Sequence, residues 1–577
     1  MNWKDQYKKW CEYPKLENDL KKILKKKAGN EAWLEDCFYK NLEFGTGGMR
    51  GELGPGPNRM NCYTIRRASE GLSHYIKAKG KEAIERGVVI AYDSRHQSKQ
   101  FAFEAARTLG KNRIKSYVFN ELRPTPELSY AVRHLQAYAG IVITASHNPS
   151  EYNGFKVYGP DGGQLTDSPA EELIGYVNGI EDELSIEVAD EQQLLSEQLL
   201  QILSKDIDEF YYEKLQEIVV QPDLIKKFGR KVKIVFSPLH GASITPVRRA
   251  LADCGFDQVT IVAEQEKPDP NFSTVKSPNP EEHEAFALAI DYGQKENADV
   301  LLATDPDGDR MGVAVKNDVG DYVVLTGNQT GALMLDYILT HKKKDQTLPE
   351  NGLMIKTIVT SELGRAIADH FSVRTFDTLT GFKYIAEKIG EFDQTKAHSF
   401  LFGYEESYGY LIGDFVRDKD AVQACILASE LAAYYKSRQM TLYDGLMELY
   451  GKYGYYQEGL ESLTLKGKAG VEKIKSILST LRKSPAILDS LNVTVIEDYQ
   501  SGELVHLATG EYTSIHLPKS NVLKYKLKDG AWLCIRPSGT EPKIKLYFGV
   551  RGDSLVQSKE RLKQLKEAVM EKIDGMI

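Results

Sequence analysis

Short apolar runs recur along this chain, each closed by glycine, proline or small polar residues. Val88–Tyr92 ends in Asp93, Ser94 and Arg95, and a helical pattern follows over residues 101–109. Residues 117–119 precede RPTPE, and residues 140–143 run into TASHNP. Strand, loop, helix, strand in this order predicts an α/β unit with a largely parallel sheet. The same grammar returns in KVKIVFSPLHG (231–241), VTIVAE and DVLLATDPDGDR, and again in LMIKTIVTS (353–361) and SFLFGYEESYG. Ahead of the first unit, Leu16, Leu20, Ile23 and Leu24 recur at helical spacing, followed by a glycine-dense loop over residues 44–59.

After the third unit, DAVQACILASELAAYYKS (420–437) reads as a helix with an acidic start at Asp420. From about residue 455 the pattern changes. VEKIKSILSTLRKS is helical, KIKLYFGV alternates so that Ile544, Leu546, Phe548 and Val550 share a face, and a final helix aligns Leu562, Leu565, Val569 and Ile573. The expected architecture is three related mixed-sheet α/β domains plus a smaller α+β C-terminal domain. The expected boundaries are 1–215, 216–325, 326–454 and 455–577.

Length and composition agree with several soluble modules. A chain of 577 residues exceeds what one core supports, roughly 300 residues. Hydrophobic residues make up 42% and charged residues 27%, which excludes a disordered chain. Its 74 basic and 82 acidic residues leave a net charge of -8, which gives no support to nucleic-acid binding. Six scattered cysteines contain no Cys-x-x-Cys pair, which argues for a reducing compartment and against a zinc or disulfide scaffold. No apolar stretch reaches the roughly 20 residues of a membrane span, and charges interrupt the N-terminal segment. The expectation is a cytoplasmic protein with no membrane and no obligate protein partner.

Candidate chemistry concentrates where apolar runs end. In TDPDGDRMG, Asp305, Asp307 and Asp309 alternate; in a loop they can converge on one centre. Three neighbouring carboxylates repel unless a cation or protons compensate, and hard oxygen ligands favour magnesium. An EF-hand is a poor rival: Arg310 and Lys316 stand where its glycine and glutamate belong. Arg310 is a cation able to hold a phosphate beside the metal. The plain alternative is an acidic turn.

TASHNPSEYNGFK supplies Ser146, His147, Asn148 and Lys156. It lacks the G-x-S-x-G elbow of hydrolases. A serine phosphorylated at rest would carry about -1.5 to -2 charges and need metal or basic groups around it. His147 and Lys156 are candidates for proton transfer or phosphate orientation; a serine/asparagine loop cap is the alternative. Near the C-terminus, WLCIRPSGTEPK places Arg536, Ser538, Gly539 and Thr540 in a loop suited to a small phosphorylated molecule, without P-loop spacing. GYEESYG offers Glu405, Glu406 and Ser407 for vicinal sugar hydroxyls. Thr380, Gly381, Phe382 and Lys383 form a second candidate loop, with Arg417 and Lys419 as phosphate contacts.

TASHNP, DPDGDR, GYEESYG and RPSGTEPK occur in the order seen in the α-D-phosphohexomutase superfamily, and across nearly its whole length the chain most resembles its bacterial α-phosphoglucomutase branch. The resemblance implies four domains around a central cleft, with Ser146 as the active-site phosphoserine and Ser146, Asp305, Asp307 and Asp309 as the magnesium site. It further implies that Arg50 (from GTGGMRG), Lys156 and Arg310 surround the moving phosphate, that His147 is the catalytic-loop histidine, and that Glu405 and Ser407 read the sugar. Arg536, Ser538, Gly539 and Thr540 would grip the distal phosphate. The implied reaction interconverts α-D-glucose 1-phosphate and D-glucose 6-phosphate, with glucose 1,6-bisphosphate as activator and intermediate. EES in the sugar loop tilts this towards glucose, with ribose or deoxyribose 1-phosphate as the alternative and a non-catalytic phosphosugar sensor as a further one.

Overall fold

The computed structural model describes residues 2–45, 47–465, 467–483, 491–537 and 543–576. By internal contacts the chain divides into two compact units. The first comprises Met1–Gly327, Phe382–Gly403 and Ser407–Leu442; the second comprises Asn328–Gly381, Tyr404–Glu406 and Tyr443–Ile577.

The first unit holds two sheets. One contains β1 (Phe44–Gly45), β2 (Gly48–Glu52), β3 (Val88–Tyr92), β4 (Ser116–Phe119), β5 (Ala139–Ile143), β6 (Tyr152–Tyr158) and β7 (Leu200–Leu203), in the order β1-β2-β6-β5-β3-β4-β7. The other contains β8 (Ile234–Ser237), β9 (Val259–Ile261), β10 (Val300–Thr304), β11 (Met311–Lys316) and β12 (Tyr322–Leu325), in the order β12-β11-β10-β8-β9.

Both sheets are mixed rather than largely parallel. β5, β3, β4 and β7 run parallel, as do β10, β8 and β9. However, β6 returns antiparallel to β5, and β11 antiparallel to β10. Loop length decides this: a parallel crossover needs about a dozen residues or more, and the connections 144–151 and 305–310 are shorter. Of these, β3, β5, β8 and β10 are buried on both sides. Val88, Ile90 and Tyr92 enter one core with the helices Cys62–Ala78 and Ser98–Lys111, while Val89 and Ala91 enter a second core with Thr125–His134.

The N-terminal stripe rests on Leu16, Leu20 and Leu24, whereas Ile23 is 37% exposed. The glycine-dense stretch forms β1 and β2 instead of remaining a loop. Asp420 caps the helix Ala421–Ser437, its carboxylate accepting from the Val422 and Gln423 amides at 2.9 and 3.1 Å.

The second unit contains the parallel pair β13 (Gly352–Thr357) and β14 (Arg374–Thr378). Two strands follow in the chain, β15 (Ser399–Glu405) and β16 (Gly409–Leu411). The C-terminal sheet contains β17 (Tyr455–Thr464), β18 (Val493–Asp498), β19 (Glu503–His506), β20 (Glu511–Ser514), β21 (Leu523–Leu527), β22 (Trp532–Pro537) and β23 (Lys543–Gly552), all antiparallel. Ile544, Leu546, Phe548 and Val550 pack in one core with Leu565, Val569 and Ile573 of the final helix Leu555–Asp574, and Leu562 lies at its edge. Among the described residues no helix is long and apolar enough to cross a membrane. The architecture is thus built from mixed sheets and an antiparallel C-terminal sheet, with surrounding helices.

Candidate active site and metal centre

Two buried strands of the first unit aim the chemistry. β5 ends at Ile143 and turns through loop 144–151 into β6, which carries Lys156. Ser146 is 3% exposed, has a left-handed φ of 52°, and donates its amide to Thr144 Oγ1 at 2.7 Å. Arg50 stands on β2, opposite Gly154 of β6, and donates to Asn148 Oδ1 at 2.7 Å.

β10 ends at Thr304 and turns through 305–310 into β11. The loop folds inward on its own backbone: the Asp309 and Arg310 amides donate to Asp305 Oδ1 at 3.1 and 3.0 Å. Gly308 has φ of 64°, and a Cβ there would meet Ser243 Oγ at 2.4 Å and Pro124 Cβ at 2.7 Å, so glycine is required twice over. Ligand oxygens of Asp305, Asp307 and Asp309 all lie within 4.8 Å of one another, and the three residues are at most 2% exposed.

The two loops meet. Ser146 Oγ donates to Asp305 Oδ2 at 2.7 Å, and His147 Nδ1 lies 3.2 Å from the same hydroxyl oxygen. Lys156 Nζ donates to Asp307 Oδ2 at 2.9 Å and stands 3.7 Å from Asp309 Oδ2. Lys419 Nζ reaches Asp309 Oδ2 at 3.2 Å, so this lysine belongs with the carboxylates. The Arg310 guanidinium pairs with Glu281, its Nε 3.9 Å from Asp309 Oδ1.

Charge is unevenly shared among these groups. Burial, then repulsion from Asp307 and Asp309, pushes the Asp305 carboxyl well above the usual range. Burial also opposes ionisation of Asp307, but Lys156 outweighs it and holds that group low. At Lys156 the carboxylates of Asp307 and Asp309 overcome burial and keep it an ammonium. Burial, Arg310 and Arg50 hold His147 well below its ordinary value, hence neutral.

A divalent cation fits this donor set. Asp307 Oδ1 and Asp309 Oδ1 are buried carboxylate oxygens with no hydrogen-bond partner. Buried polar atoms are nearly always partnered, and oxygen-only ligation suits a hard ion such as magnesium.

The other candidate residues are divided between the two units. In the second unit, Glu405 Oε1 accepts the Gly381 amide at 3.0 Å, with Thr380 beside it in sequence, and Glu406 Oε2 accepts from the Thr357 and Thr360 hydroxyls, both at 3.2 Å. Arg536 is the penultimate residue of β22; Ser538, Gly539 and Thr540 lie outside the described residues. In the first unit, the Phe382 ring lies 5.5 Å from Lys419 Nζ, and Ser407 follows β15. Arg417 is 1% exposed and its guanidinium engages Asp393 and the Asp414 carbonyl, so it is not gathered at the carboxylates.

Sequence reasoning missed Arg95, Thr125 and Glu281. Arg95 read only as the end of a strand, yet it holds the serine loop. Thr125 donates its amide to the Asp307 carbonyl at 2.8 Å and its hydroxyl to Asp307 Oδ2 at 3.3 Å. Only RPTPE, a turn signal, marked that position.

Comparison with known proteins gives matches along most of the chain. The chain matches the Phosphoglucomutase/phosphomannomutase alpha/beta/alpha domains I, II and III over residues 41–183, 209–320 and 326–453, and the C-terminal domain over 474–572. A phosphoglucomutase of Staphylococcus haemolyticus is 38% identical over 526 residues, covering 91% of this chain and 93% of its own. One of Staphylococcus aureus (strain MSSA476) is 40% identical over 515 residues, covering 89% and 90%. The open-form structure of pp63/parafusin, a phosphoglucomutase from Paramecium, superposes with a TM-score of 0.68 at 16% identity, covering 93% of this chain and 95% of its own. A phosphoglucomutase/phosphomannomutase family protein from Burkholderia thailandensis gives 0.62 at 18% identity, covering 91% and 96%. Four matched domains in order, with close bacterial relatives along nearly the full length, place this chain in the phosphoglucomutase/phosphomannomutase family of the α-D-phosphohexomutase superfamily.

Proposed function

We propose that this protein is a magnesium-dependent phosphoglucomutase, interconverting α-D-glucose 1-phosphate and D-glucose 6-phosphate through phosphoserine 146 and glucose 1,6-bisphosphate. The observation that carries the reading is the 2.7 Å approach of Ser146 Oγ to Asp305, beside two buried carboxylate oxygens that accept no hydrogen bond. Glucose as the substrate is supported by the relatives named phosphoglucomutase at 38% and 40% identity.

Magnesium held by Asp305, Asp307 and Asp309 would supply positive charge beside the transferring phosphoryl group. The chain's own groups do the rest. In the forward half, the free sugar hydroxyl bonds to phosphorus while the bond from phosphorus to Ser146 Oγ breaks. In the return half, Ser146 Oγ attacks the other phosphate of the turned bisphosphate, and the remaining sugar oxygen leaves. His147 Nδ1, 3.2 Å from Oγ, carries the proton between serine and sugar oxygens. Lys156, paired with Asp307 and Asp309, balances charge, as do Arg50 and Arg310. Glu405 and Ser407 read sugar hydroxyls, with Thr380, Gly381 and Phe382 alongside. Arg536, with Ser538, Gly539 and Thr540, holds the distal phosphate. We place the reaction in the cytoplasm, in keeping with the charge and cysteine usage of the chain.

The test is turnover of glucose 1-phosphate by purified protein with magnesium and a trace of glucose 1,6-bisphosphate, measured beside ribose 1-phosphate. A larger kcat/KM on glucose 1-phosphate is expected; a strong pentose preference would replace the substrate, and binding without phosphate exchange would leave only a sensor.

A further inference from the structure

We propose that Arg95 is a positioning residue for phosphoryl transfer: its buried guanidinium is the template on which the Ser146 loop is shaped, a role that rests on the phosphoserine reading above. The residue follows β3, and its side chain is fully buried. Its two terminal nitrogens donate to four carbonyls, three in the serine loop and one at Tyr152, the first residue of β6. Nη1 reaches the Pro149 and Tyr152 oxygens at 2.8 and 3.0 Å, and Nη2 reaches Ser146 O at 2.5 Å together with Asn148 O. The four N–H bonds of the terminal nitrogens therefore have partners between residues 146 and 152.

Neighbours fix the fork in turn. Asp93 Oδ2 lies 3.4 Å from Arg95 Nε, while Asp93 Oδ1 accepts the Arg95 amide at 2.9 Å and the Ser98 hydroxyl at 2.7 Å. The Phe272 ring, from the connection between β9 and β10, lies 4.8 Å from the guanidinium carbon. Arg95 thus joins β3, the serine loop and the second sheet's connecting segment at one planar group.

The loop needs such a template. Ser146 occupies a left-handed conformation that non-glycine residues rarely adopt, with φ of 52°. Its outer side must stay open to a phosphosugar, so packing from that side cannot hold it. Inward-facing carbonyls tied to a rigid fork can. A lysine cannot substitute, because a single ammonium does not span four acceptors in a plane. The Arg95 side chain is fully buried and bonds the loop's backbone, so its effect is on the placement of Oγ. A displacement of about 1 Å in a reacting group costs on the order of 100-fold in rate.

The experiment compares wild type, Arg95→Ala and Arg95→Lys by turnover of glucose 1-phosphate, by rescue with added guanidinium, and by amide exchange resolved along the chain. We expect kcat in Arg95→Ala to fall about 100-fold with KM within about threefold. Guanidinium should restore at least about tenfold in Arg95→Ala but not in Arg95→Lys, where the ammonium stem fills the space. Amides 146–152 should exchange faster while Val88–Tyr92 and Val300–Thr304 keep their protection. A kcat within threefold of wild type, or a loss that guanidinium leaves unchanged, overturns the proposal. If Arg95→Ala does not fold, Phe272→Leu decides: slower turnover at unchanged KM with faster exchange at 146–152 supports it, and unchanged turnover and exchange overturn it. If the wild type turns over no sugar phosphate, the functional reading fails alone. Amide exchange then still judges Arg95: a change confined to 146–152 supports the template, and a uniform change refutes it.

Discussion

The hydroxyl of Ser146 donates to the carboxylate of Asp305 across 2.7 Å, joining two loops 159 positions apart in the chain. Each loop is a tight return from a buried parallel strand to an antiparallel neighbour. The nucleophile and the cation-binding acids are therefore presented by the ends of two rigid sheets, which is where reacting atoms are held most precisely.

Replacing Ser146 by alanine removes the phosphoryl carrier and leaves the acids in place. Mutase turnover should fall by at least about 10³-fold. Stability should change by only about 1–2 kcal/mol, the loss of one hydrogen bond to a carboxylate. Coupled turnover assays and denaturant titration check the two parts separately; full activity in this variant would refute the mechanism.

Magnesium should stabilise the folded protein, because it relieves repulsion among Asp305, Asp307 and Asp309, which lie within 4.8 Å of one another. At a hundredfold excess over Kd the gain is about 2.7 kcal/mol. After chelator treatment, adding magnesium should raise Tm in wild type and much less in Asp307→Asn. An equal rise in both would remove Asp307 from the site.

Asp420 offers a pH test at a buried helix cap. Burial pushes its carboxyl from the ordinary 3.8 up to about 6, against hydrogen bonds from the Gln423 amide and Tyr211. The folded state therefore binds this proton more tightly than the unfolded chain. The stabilising contribution is complete below about pH 4 and is lost as pH rises through 6, a change of about 3 kcal/mol for a shift of roughly two pH units. Asp420→Asn keeps an oxygen to cap the helix and cannot ionise. Relative to wild type it should gain stability between pH 4 and pH 7; parallel stability profiles would contradict this.

Tyr404 leads directly into Glu405, and its ring is wedged against Gly331 and Gly364. A Cβ at Gly331 would meet Tyr404 Cδ2 at 2.3 Å, and one at Gly364 would meet its hydroxyl at 2.3 Å. Gly331→Ala must displace the ring, at a cost of about 1–3 kcal/mol. If Glu405 reads the sugar, KM should rise in this variant while Ser146 still accepts phosphate, as intact mass would show. An unchanged KM would separate Tyr404 from the sugar site.

Local pattern reached a good part of this protein. β3 coincides with its apolar run, β5 and β10 follow theirs closely, and the acids and the serine sit in the connections just beyond, because burial on both faces writes itself as an unbroken apolar stretch. Asp420 as a helix start and the one-sided face of β23 were legible for the same reason: capping and alternation are short-range. β2 hid among glycines, whose missing side chains leave no alternation to read, and β6, which carries Lys156, was not marked as a strand.

Where long side chains end was decided by the tertiary structure alone. Arg417 and Lys419 stand two residues apart in one polar stretch, yet the first turns to Asp393 and the second to Asp309. Arg95 was a polar terminator in the sequence and became the buried support of the serine loop. Such destinations depend on which acceptors distant segments bring near, and periodicity carries no record of that. The chain's pattern determines which segments are buried and what chemistry their ends carry; only folding determines which charge meets which, because ion pairs and hydrogen bonds act within a few ångströms of space whatever the separation in sequence.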